Sequence, residues 1–557
     1  MTRDMLEQIR TRGTATPQSR QADPRQERNN GGGWAFTVSD ETRLRRFLTM
    51  GTYGTYYVNE QDTTAESAEL VLGWARDNAT RLTGLVTEIS VAGRAPRQGP
   101  ALLALMAAMA LGDVDGRRAA ERAFPAVVRT GTHLFTSAKY TEQFRGWGPV
   151  ARRAFASWYL GKDPDELAYQ LVKYRGREGW THLDVLRSAH STKHADQPHR
   201  DLFNWLAKGV TERDPLPRWV EAYELARDIE RESGSALARR AKTAAYTQLI
   251  RDYPGLPWEA LPDEATSQGD VWRALIGAGM PVTALIRNLA KMTRLGVLAP
   301  MSSHLQAVCG RLRDQELLRK GRVHPVALLV AAKSYASGRS EKGSTTWVPV
   351  PQVTDALTDA FYLAFGAVEP SGKRVSLAVD ISGSMSSSAA GYCITARELA
   401  AAMALVTAAT EPRHMITAFT HGPYPSKWSQ VNGMGSGITQ MPVSPRQRID
   451  DVMRTTAAMQ MGGTNCAVPM LEAARYRVPV DTFVVLTDSE TWYGDIHPHE
   501  ALDHYRQVMG IDARLQVVAF TPTRFSIARP DDPRELDVSG FDAAVPVLLA
   551  DHSAGRL

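Results

Sequence analysis

The sequence predicts a chain in two parts, a long region of helix pairs followed by an α/β domain built on a parallel sheet. Two observations predict it. From about residue 67 to residue 365, amphipathic helical stretches follow one another, with apolar residues at three- and four-residue spacing. In the last third, near-continuous apolar strands alternate with amphipathic helices, a pattern typical of a parallel sheet covered on both faces.

Composition along the chain predicts the domain boundaries and argues against a membrane protein. The first thirty residues are polar, which predicts a flexible arm at residues 1–30, followed by a helical region at 31–370 and an α/β domain at 371–557. A signal-peptide pattern is missing, and the most apolar helix, at residues 100–111, is shorter than the roughly 20 residues that span a bilayer. We therefore expect no membrane contact.

The three cysteines are Cys309, Cys393 and Cys466. They are far apart and odd in number, which favours a reducing compartment over a disulfide framework. We expect a cytoplasmic protein.

The helical region contains more than ten short predicted helices with Gly or Pro stops between them. Examples are residues 68–78, 149–160, 163–174, 219–230, 281–295 and 325–335. Helices of this length without a long heptad suggest pairs stacked as HEAT-like repeats, although the sequence has no exact period. A globular all-α domain is the alternative.

In the α/β domain, four apolar strands and three intervening helices stand out. We predict strands at residues 376–381, 414–420, 482–488 and 514–520, and helices at 395–409, 467–476 and 498–508.

Oxygen-bearing side chains follow two of these strands. Asp380, Ser382 and Ser384 end the first strand, Thr464 lies in a glycine-rich loop, and Asp488 ends a later strand. The carboxyl ends of parallel strands meet at one edge, and carboxylates with hydroxyls suit Mg²⁺, which Mn²⁺ could replace. These parts resemble the metal-ion-dependent adhesion site of a von Willebrand factor A domain. An open coordination position would accept a partner's oxygen; a purely structural ion is the alternative.

Formal charge is divided unevenly. Residues 371–557 carry −3 and residues 1–370 carry +8. Basic and aromatic residues interleave in three clusters: Arg152, Arg153, Phe155, Trp158 and Tyr159; Lys173, Tyr174, Arg175, Arg177 and Trp180; and Arg287, Lys291 and Arg294. Cations neutralise phosphates and aromatic rings stack on unpaired bases, so the pattern suits RNA. The alternative is that the aromatics are core residues and the cations solvated helix faces.

Segments along nearly the whole chain resemble the Ro ribonucleoprotein autoantigen family. In that family, a ring of HEAT-like repeats called the TROVE domain is closed by a von Willebrand factor A domain. The resemblance lies in residues 47–51, 54–57, 132–136, 173–190, 285–293, 323–325 and 368–374, together with the cation motif. It implies a monomeric helical ring joined to a doubly wound A domain.

The resemblance also implies a function, that of a non-enzymatic RNA-binding scaffold. Family members hold Y-like small noncoding RNA on the outer surface of the ring and admit 3′ single-stranded ends of misfolded RNA into its cavity. They act in RNA quality control or processing, where a Y RNA can tether a 3′ exoribonuclease.

Candidate RNA contacts follow from the family's motifs. Lys173, Arg187 and His190 match the segment that contacts Y RNA, while residues 191–193 depart from the pattern of the animal proteins. The candidates for contacts in the ring or its cavity are Arg287, Lys291, Arg322 and His324.

Two other function classes stay open. One is an A-domain adaptor between proteins, without RNA. The other is a metal-dependent RNA hydrolase, which would need two metals about 4 Å apart or a general base beside one ion. Two acids are few for that chemistry. Salt-sensitive RNA binding would exclude the adaptor, and RNA shortening by the purified chain would favour the hydrolase.

Overall fold

The computed structural model describes residues 15–51, 60–95, 97–190, 194–209, 217–232, 236–340, 344–365, 369–387, 394–420, 437–441, 443–444, 447–459, 462–520, 523–542 and 544–556. Within these ranges a helical part is followed by an α/β domain. The predicted fold class is confirmed.

The described helical part contains nineteen α-helices, and helices close in sequence pack side by side. They are α1 (Asp40–Met50), α2 (Glu60–Asp77), α3 (Ala79–Val91), α4 (Gly99–Leu111), α5 (Val114–Val127), α6 (Gly131–Phe144), α7 (Pro149–Leu160), α8 (Pro164–Lys173), α9 (His182–Ala189), α10 (Gln197–Lys208), α11 (Arg218–Arg231), α12 (Ala236–Asp252), α13 (Asp263–Thr266), α14 (Gly269–Gly277), α15 (Val282–Arg294), α16 (Ser303–Leu312), α17 (Gln315–Lys320), α18 (Pro325–Ala336) and α19 (Pro351–Leu363). Contacts of α3 with α5, α4 with α6 and α5 with α7 give the layered arrangement expected of stacked helix pairs.

The most apolar helix, α4, is buried among its neighbours. It contacts α2, α3, α5 and α6, which explains why it has no polar face. Among the described residues, no helix is both long and apolar enough to cross a membrane. Cys309 and Cys466 are buried free thiols, and Cys393 lies outside the described residues.

Short strands accompany the helical part. Strands β1 (Gln26–Arg28) and β2 (Trp34–Thr37) precede α1. Strands β3 (Gly176–Arg177) and β4 (Trp180–Thr181) form a small antiparallel hairpin between α8 and α9.

The α/β domain is built on a six-stranded sheet with helices between its strands. Its elements are β5 (Val375–Asp380), α20 (Ala396–Thr410), β6 (His414–Phe419), β7 (Ile438–Gln440), α21 (Ile449–Ala458), α22 (Val468–Arg475), β8 (Thr482–Thr487), α23 (Pro498–Met509), β9 (Arg514–Ala519), β10 (Phe525–Ser526), β11 (Glu535–Ser539) and α24 (Val545–Ala554). The strand order of the sheet is β11-β9-β8-β5-β6-β7, and all its strand pairs are parallel except β6 with β7. The four predicted strands and three predicted helices are confirmed within two residues at each end.

The N-terminal segment differs from the flexible arm predicted for residues 1–30. Its strands β1 and β2 join β10 in a small antiparallel sheet against the α/β domain. The buried Gln18 amide donates to Asn465 Oδ1 and to the Ile496 carbonyl, each at 2.9 Å. Polarity was a poor guide because these side chains make hydrogen bonds with the distant domain. Residues 1–14 lie outside the described residues.

Three parts of the chain meet at Arg94, in a contact that we call the seam. His324 Nε2, at the start of α18, donates to the Arg94 carbonyl at 3.2 Å. The Arg94 guanidinium pairs with Asp542, after β11, across 3.2 Å between Nε and Oδ2. Arg94, which follows α3, therefore contacts both the start of α18 and the α/β domain.

Further contacts join the late helices to the α/β domain. Lys333 of α18 pairs with Glu398 of α20 at 2.8 Å. Phe361 of α19 stacks on Phe541, with 6.0 Å between ring centroids. Apolar and ionic contacts thus both fix the domain against the end of the helical part.

Helix α1 is anchored in the α/β domain by one fully buried cation. The Arg46 side chain donates to the carbonyls of Thr523 and Phe525 and pairs with Asp537 Oδ1 at 2.6 Å. A guanidinium excluded from water needs these partners, because an unpaired buried charge is costly.

We expect Arg46→Met to lower the free energy of unfolding by about 3–5 kcal/mol, because it leaves Asp537 without its buried cation. The urea midpoint measured by circular dichroism would report the loss. Arg43→Met, one turn away in a partly exposed pair with Asp40, is the control and should cost less than about 1 kcal/mol. Equal effects of the two changes would contradict the anchoring role of Arg46.

Candidate cation site and nucleic-acid interface

The five predicted cation ligands are all buried in the α/β domain. Asp380 Oδ1 accepts from the Ser382 backbone N–H at 2.8 Å, and the Ser382 and Ser384 hydroxyl oxygens are 3.0 Å apart. Ser384 also hydrogen-bonds to the Asp488 carboxylate. Two strand ends are thereby connected through two hydroxyl groups.

The loop that carries Thr464 joins the same edge of the sheet. The Gly383 N–H donates to the Gly462 carbonyl at 3.3 Å, and the Trp492 N–H donates to the Thr464 carbonyl at 3.2 Å. Loops after β5 and β8 thus hold the loop that precedes α22. The Thr464 hydroxyl is buried and has no hydrogen-bond partner among the described residues.

Electrostatics at this site favour a bound cation. Burial raises the pKa of Asp380. Burial, followed by the negative charge of Asp380, raises the pKa of Asp488 to about 8. Two buried carboxylates beside an unpartnered hydroxyl form a set of oxygen donors that a divalent cation would complete. The residues fit Mg²⁺, for which Asp380, Ser382, Ser384, Thr464 and Asp488 would be direct or water-mediated ligands.

Sequence reasoning missed the support that Arg397 gives this site. Its buried guanidinium donates to the Ser382 carbonyl at 2.9 Å, and its charge lowers the pKa of Asp380 against the effect of burial. A cation on a helix gives no local signal that it reaches back to the preceding strand.

Two aromatic side chains border the site and were also missed. Trp492 and Tyr493 are 38% and 40% exposed, and their rings meet edge to face at 5.7 Å. The indole lies so close to Gly463 that a Cβ there would come within 2.6 Å of it, so a larger residue would have to displace the indole.

Glu490, in the same loop as the two aromatic residues, is held by the N-terminal segment. Its carboxylate accepts from Asn30 Nδ2 at 2.8 Å and from the Gly31 N–H at 3.1 Å.

A second feature is a basic cavity of about 580 Å³ in the helical part, which we call the seam cavity. Its lining includes Arg129, Arg287 and Arg322, together with apolar groups such as Ile286 and Trp347. No carboxylate is among the described residues that line it. Arg129 was not predicted, because it follows α5 far in sequence from the other two arginines.

The cations of the seam cavity repel one another. Burial, and then the charge of Arg322, lowers the pKa of Arg129. Lys173 lies outside this lining; burial lowers its pKa, Glu259 opposes that effect, and the charge of Arg287 adds to it. The cavity is a region of positive potential that an anion would relieve.

The predicted RNA contacts fall into different environments. Arg187 and His190 are exposed near the end of α9, with His190 in the left-handed region at φ 52°. Lys173 is half-buried, with its ammonium over the rings of Tyr169 and Tyr174 at 5.3 and 5.4 Å. Residues 191–193 lie outside the described residues.

Two cavity candidates have structural roles. His324 is 8% exposed; its Nδ1 accepts from the Val326 N–H at 3.1 Å while Nε2 binds the Arg94 carbonyl, so neither ring nitrogen is left for RNA. Lys291 donates to Thr266 Oγ1 at 3.1 Å and lies over the Trp272 ring. Both side chains pair within the protein, a role that the sequence could not distinguish from RNA contact.

The aromatic residues of the first basic cluster belong to the core. Phe155, Trp158 and Tyr159 are at most 1% exposed. For them the alternative interpretation was right, and base stacking on these rings is excluded. Tyr174 and Trp180 are only half-buried.

Comparisons with known proteins identify the family of both parts of the chain. Residues 27–251 and 254–334 match the TROVE domain family, and residues 374–553 match the Ro60 vWA domain family. RNA-binding protein RO60 of Deinococcus radiodurans is 40% identical over 97% of this chain and 98% of its own. RNA-binding protein RO60 of Caenorhabditis elegans is 32% identical over 95% of this chain and 90% of its own. The crystal structure of the Deinococcus radiodurans RO (RSR) protein matches with a TM-score of 0.67 and 37% identity, covering 93% of this chain and 100% of that one.

We expect Mg²⁺ to raise the thermal unfolding midpoint, by an amount equivalent to about 2.7 kcal/mol at a hundred times the Kd. Asp380→Asn and Thr464→Val should abolish this increment, because each removes an oxygen ligand. Differential scanning calorimetry with and without EDTA would measure it. Thr482→Val is the matched control. Like Thr464, Thr482 has a buried hydroxyl without a partner among the described residues, but it lies at the start of β8, whereas the site lies beyond the ends of the strands. A full Mg²⁺ increment in Thr464→Val would contradict this ligand assignment.

The seam should weaken in mild acid. Burial lowers the pKa of His324 to about 4, from about 6.5 in an unfolded chain, so the histidine is neutral when folded. Its contribution to stability is therefore complete above pH 6.5 and is lost as the pH falls through 4. His324→Asn, which retains a cap for α18, should reduce the slope of the unfolding free energy between pH 6.5 and 4. His304→Asn, on α16, is the control; an unchanged slope in His324→Asn would contradict the assignment.

Proposed function

Because the chain belongs to the Ro family of TROVE-domain proteins, we propose that it is an RNA-binding scaffold. Unpaired 3′ ends of misfolded RNA enter the seam cavity, and a Y-like noncoding RNA binds the outer surface near Arg187 and His190. The relatives named above as RNA-binding proteins support this proposal at the level of RNA binding.

One observation carries the proposal, the absence of carboxylates from the described lining of the seam cavity beside three guanidinium groups. Elsewhere in the helical part arginines commonly pair with acids, as Arg153 does with Glu121 at 2.7 Å. Cations without such partners gain most from phosphate, since binding releases the counterions condensed on RNA. The half-buried Trp347 ring, which stacks on Tyr335 in the same lining, offers a surface for an unpaired base.

The outer surface supplies a separate contact. Arg187 lies in the last turn of α9 and His190 caps the end of that helix, and both side chains are exposed. A guanidinium can bind a phosphate through two parallel hydrogen bonds, and an imidazole can donate to phosphate or stack on a base. Because both side chains are on the outer surface, these two contacts suit the backbone of a folded RNA better than a single strand held in a cavity.

The cation site suits binding rather than hydrolysis. Its two carboxylates lie with hydroxyl groups at the carboxyl edge of the sheet. Among the described residues, no group of three or more His, Cys, Asp or Glu side chains could hold a metal ion. A bound Mg²⁺ there would supply a Lewis-acidic position for a partner's carboxylate or phosphate oxygen. A 3′ exoribonuclease tethered by RNA is the partner that this scaffold would serve.

Variants should separate the two RNA contacts. Replacing Arg287 and Arg322 together by Gln should weaken binding of an RNA with an unpaired 3′ tail. It should also reduce the slope of log K against log salt by about 0.7 for each phosphate that is no longer neutralised. Binding of a blunt Y-like hairpin should be unaffected. Replacing Arg187 and His190 by Gln should have the reverse effect, with fluorescence anisotropy as the measurement.

The matched control is the pair Arg118→Gln and Arg251→Gln, two exposed arginines of the helical part that do not line the seam cavity. It should leave both RNAs bound as before. An equal loss of RNA affinity in the control and in the cavity variants would show that only net charge matters. It would contradict a specific role for the seam cavity. Shortening of the RNA by the purified chain would contradict the non-enzymatic assignment.

A further inference from the structure

A small, mostly apolar pocket lies among α4, α5, α6 and α7, apart from the seam cavity. Its volume is about 120 Å³, close to the roughly 150 Å³ of a protein cavity that binds benzene. Met106, Met109 and Val150 supply apolar walls, and Arg117 and Arg145 are the cations of the lining. No carboxylate is among the described residues that line it.

Arg117 lines the pocket, and one of its guanidinium nitrogens is buried without a partner. This atom, Nε, makes no hydrogen bond within the described residues. The acid one turn away, Glu121, is occupied by both Nε and Nη2 of Arg153 at 2.7 Å. Buried polar groups are nearly always satisfied, so an unpartnered guanidinium nitrogen at a pocket wall suggests that a ligand completes it.

A second positive element faces the same pocket. Helix α7 begins there with Pro149, Val150 and Ala151, and no side chain caps its N-terminus at Gly148. The first N–H groups of a helix have no partners within it and carry partial positive charge. Phosphates commonly bind at such ends. The second cation, Arg145, donates to the Ala110 carbonyl at 3.3 Å, a long hydrogen bond to a neutral group.

We propose that this pocket binds one nucleotide, with its phosphate between Arg117, Arg145 and the start of α7, and its base among the methionines. The volume suits a single flat ring, and methionine sulfur makes favourable contacts with aromatic rings. A guanidinium pairs well with phosphate through two hydrogen bonds. The nucleotide is either free in solution or one residue of a bound RNA strand. This site goes beyond the scaffold function proposed above and does not depend on it.

Uridine 5′-monophosphate titrated into the full-length protein by calorimetry tests the free form, with inorganic phosphate as a second titrant. Arg117→Gln should weaken binding at least about tenfold, as loss of a charge-assisted hydrogen bond would. Ala110→Phe, which fills the pocket without changing charge, should do the same. Arg118→Gln is the matched control, since Arg118 is the next residue on α5 and its side chain is 64% exposed. It should leave binding unchanged.

A second experiment distinguishes a free nucleotide from a nucleotide of a bound RNA strand. In it, a uridine-rich single strand is photo-crosslinked to the pocket residues. Crosslinks that Arg117→Gln removes, without binding of the free nucleotide, would assign the pocket to an RNA strand and support the proposal. Equal affinity for inorganic phosphate and the nucleotide would overturn it, as would nucleotide binding that survives both pocket variants, or no binding and no crosslink. The Arg287 and Arg322 variants should keep nucleotide binding, which separates a failure here from a failure of the scaffold function.

Discussion

The structure depends on the closure of the chain at Arg94. This residue uses its carbonyl to accept from His324 and its guanidinium to pair with Asp542, so one residue joins three distant parts of the sequence. Asp542 is 1% exposed, and such a pair is stable only while both partners are in place. His324 and Ala95, the neighbour of Arg94, both line the seam cavity, so the closure forms part of the cavity wall.

Net charge alone explains little about this protein. Many of its exposed cations are neutralised locally, as Arg273 is by Asp270 at 2.6 Å and Arg319 by Glu316 at 2.8 Å. Such pairs lie on solvated helix faces and contribute little to stability or to binding. What distinguishes the seam cavity is that three arginines line it and no acidic residue is among its described lining. The relevant quantity is therefore the number of cations without acidic partners in one cavity, which the sequence does not display.

Local patterns predicted most of the fold and only part of the sites. The strands ending at Asp380 and Thr487 and the helix at 149–160 were predictable, because hydrophobic periodicity and Pro or Gly boundaries are local signals. The edge strands β7 and β11 were missed, since three to five residues of mixed polarity carry too little pattern. The candidate cation ligands could be grouped from the sequence because the carboxyl ends of parallel strands meet at one edge of a sheet. Arg129 was missed because only tertiary packing brings it to Arg322.

The N-terminal segment shows why the α/β domain is not self-contained. Gln18 spans the loops on either side of the cation site, donating to Asn465 and accepting from Thr491 Oγ1 at 2.5 Å. Asn30 reaches Glu490, two residues beyond the predicted ligand Asp488. A cut at residue 371 would remove these hydrogen bonds and expose the polar groups that they satisfy. The N-terminal segment therefore supports the loops beside the candidate cation site, and it leads through α1 and the buried Arg46 into the helices that bound the seam cavity.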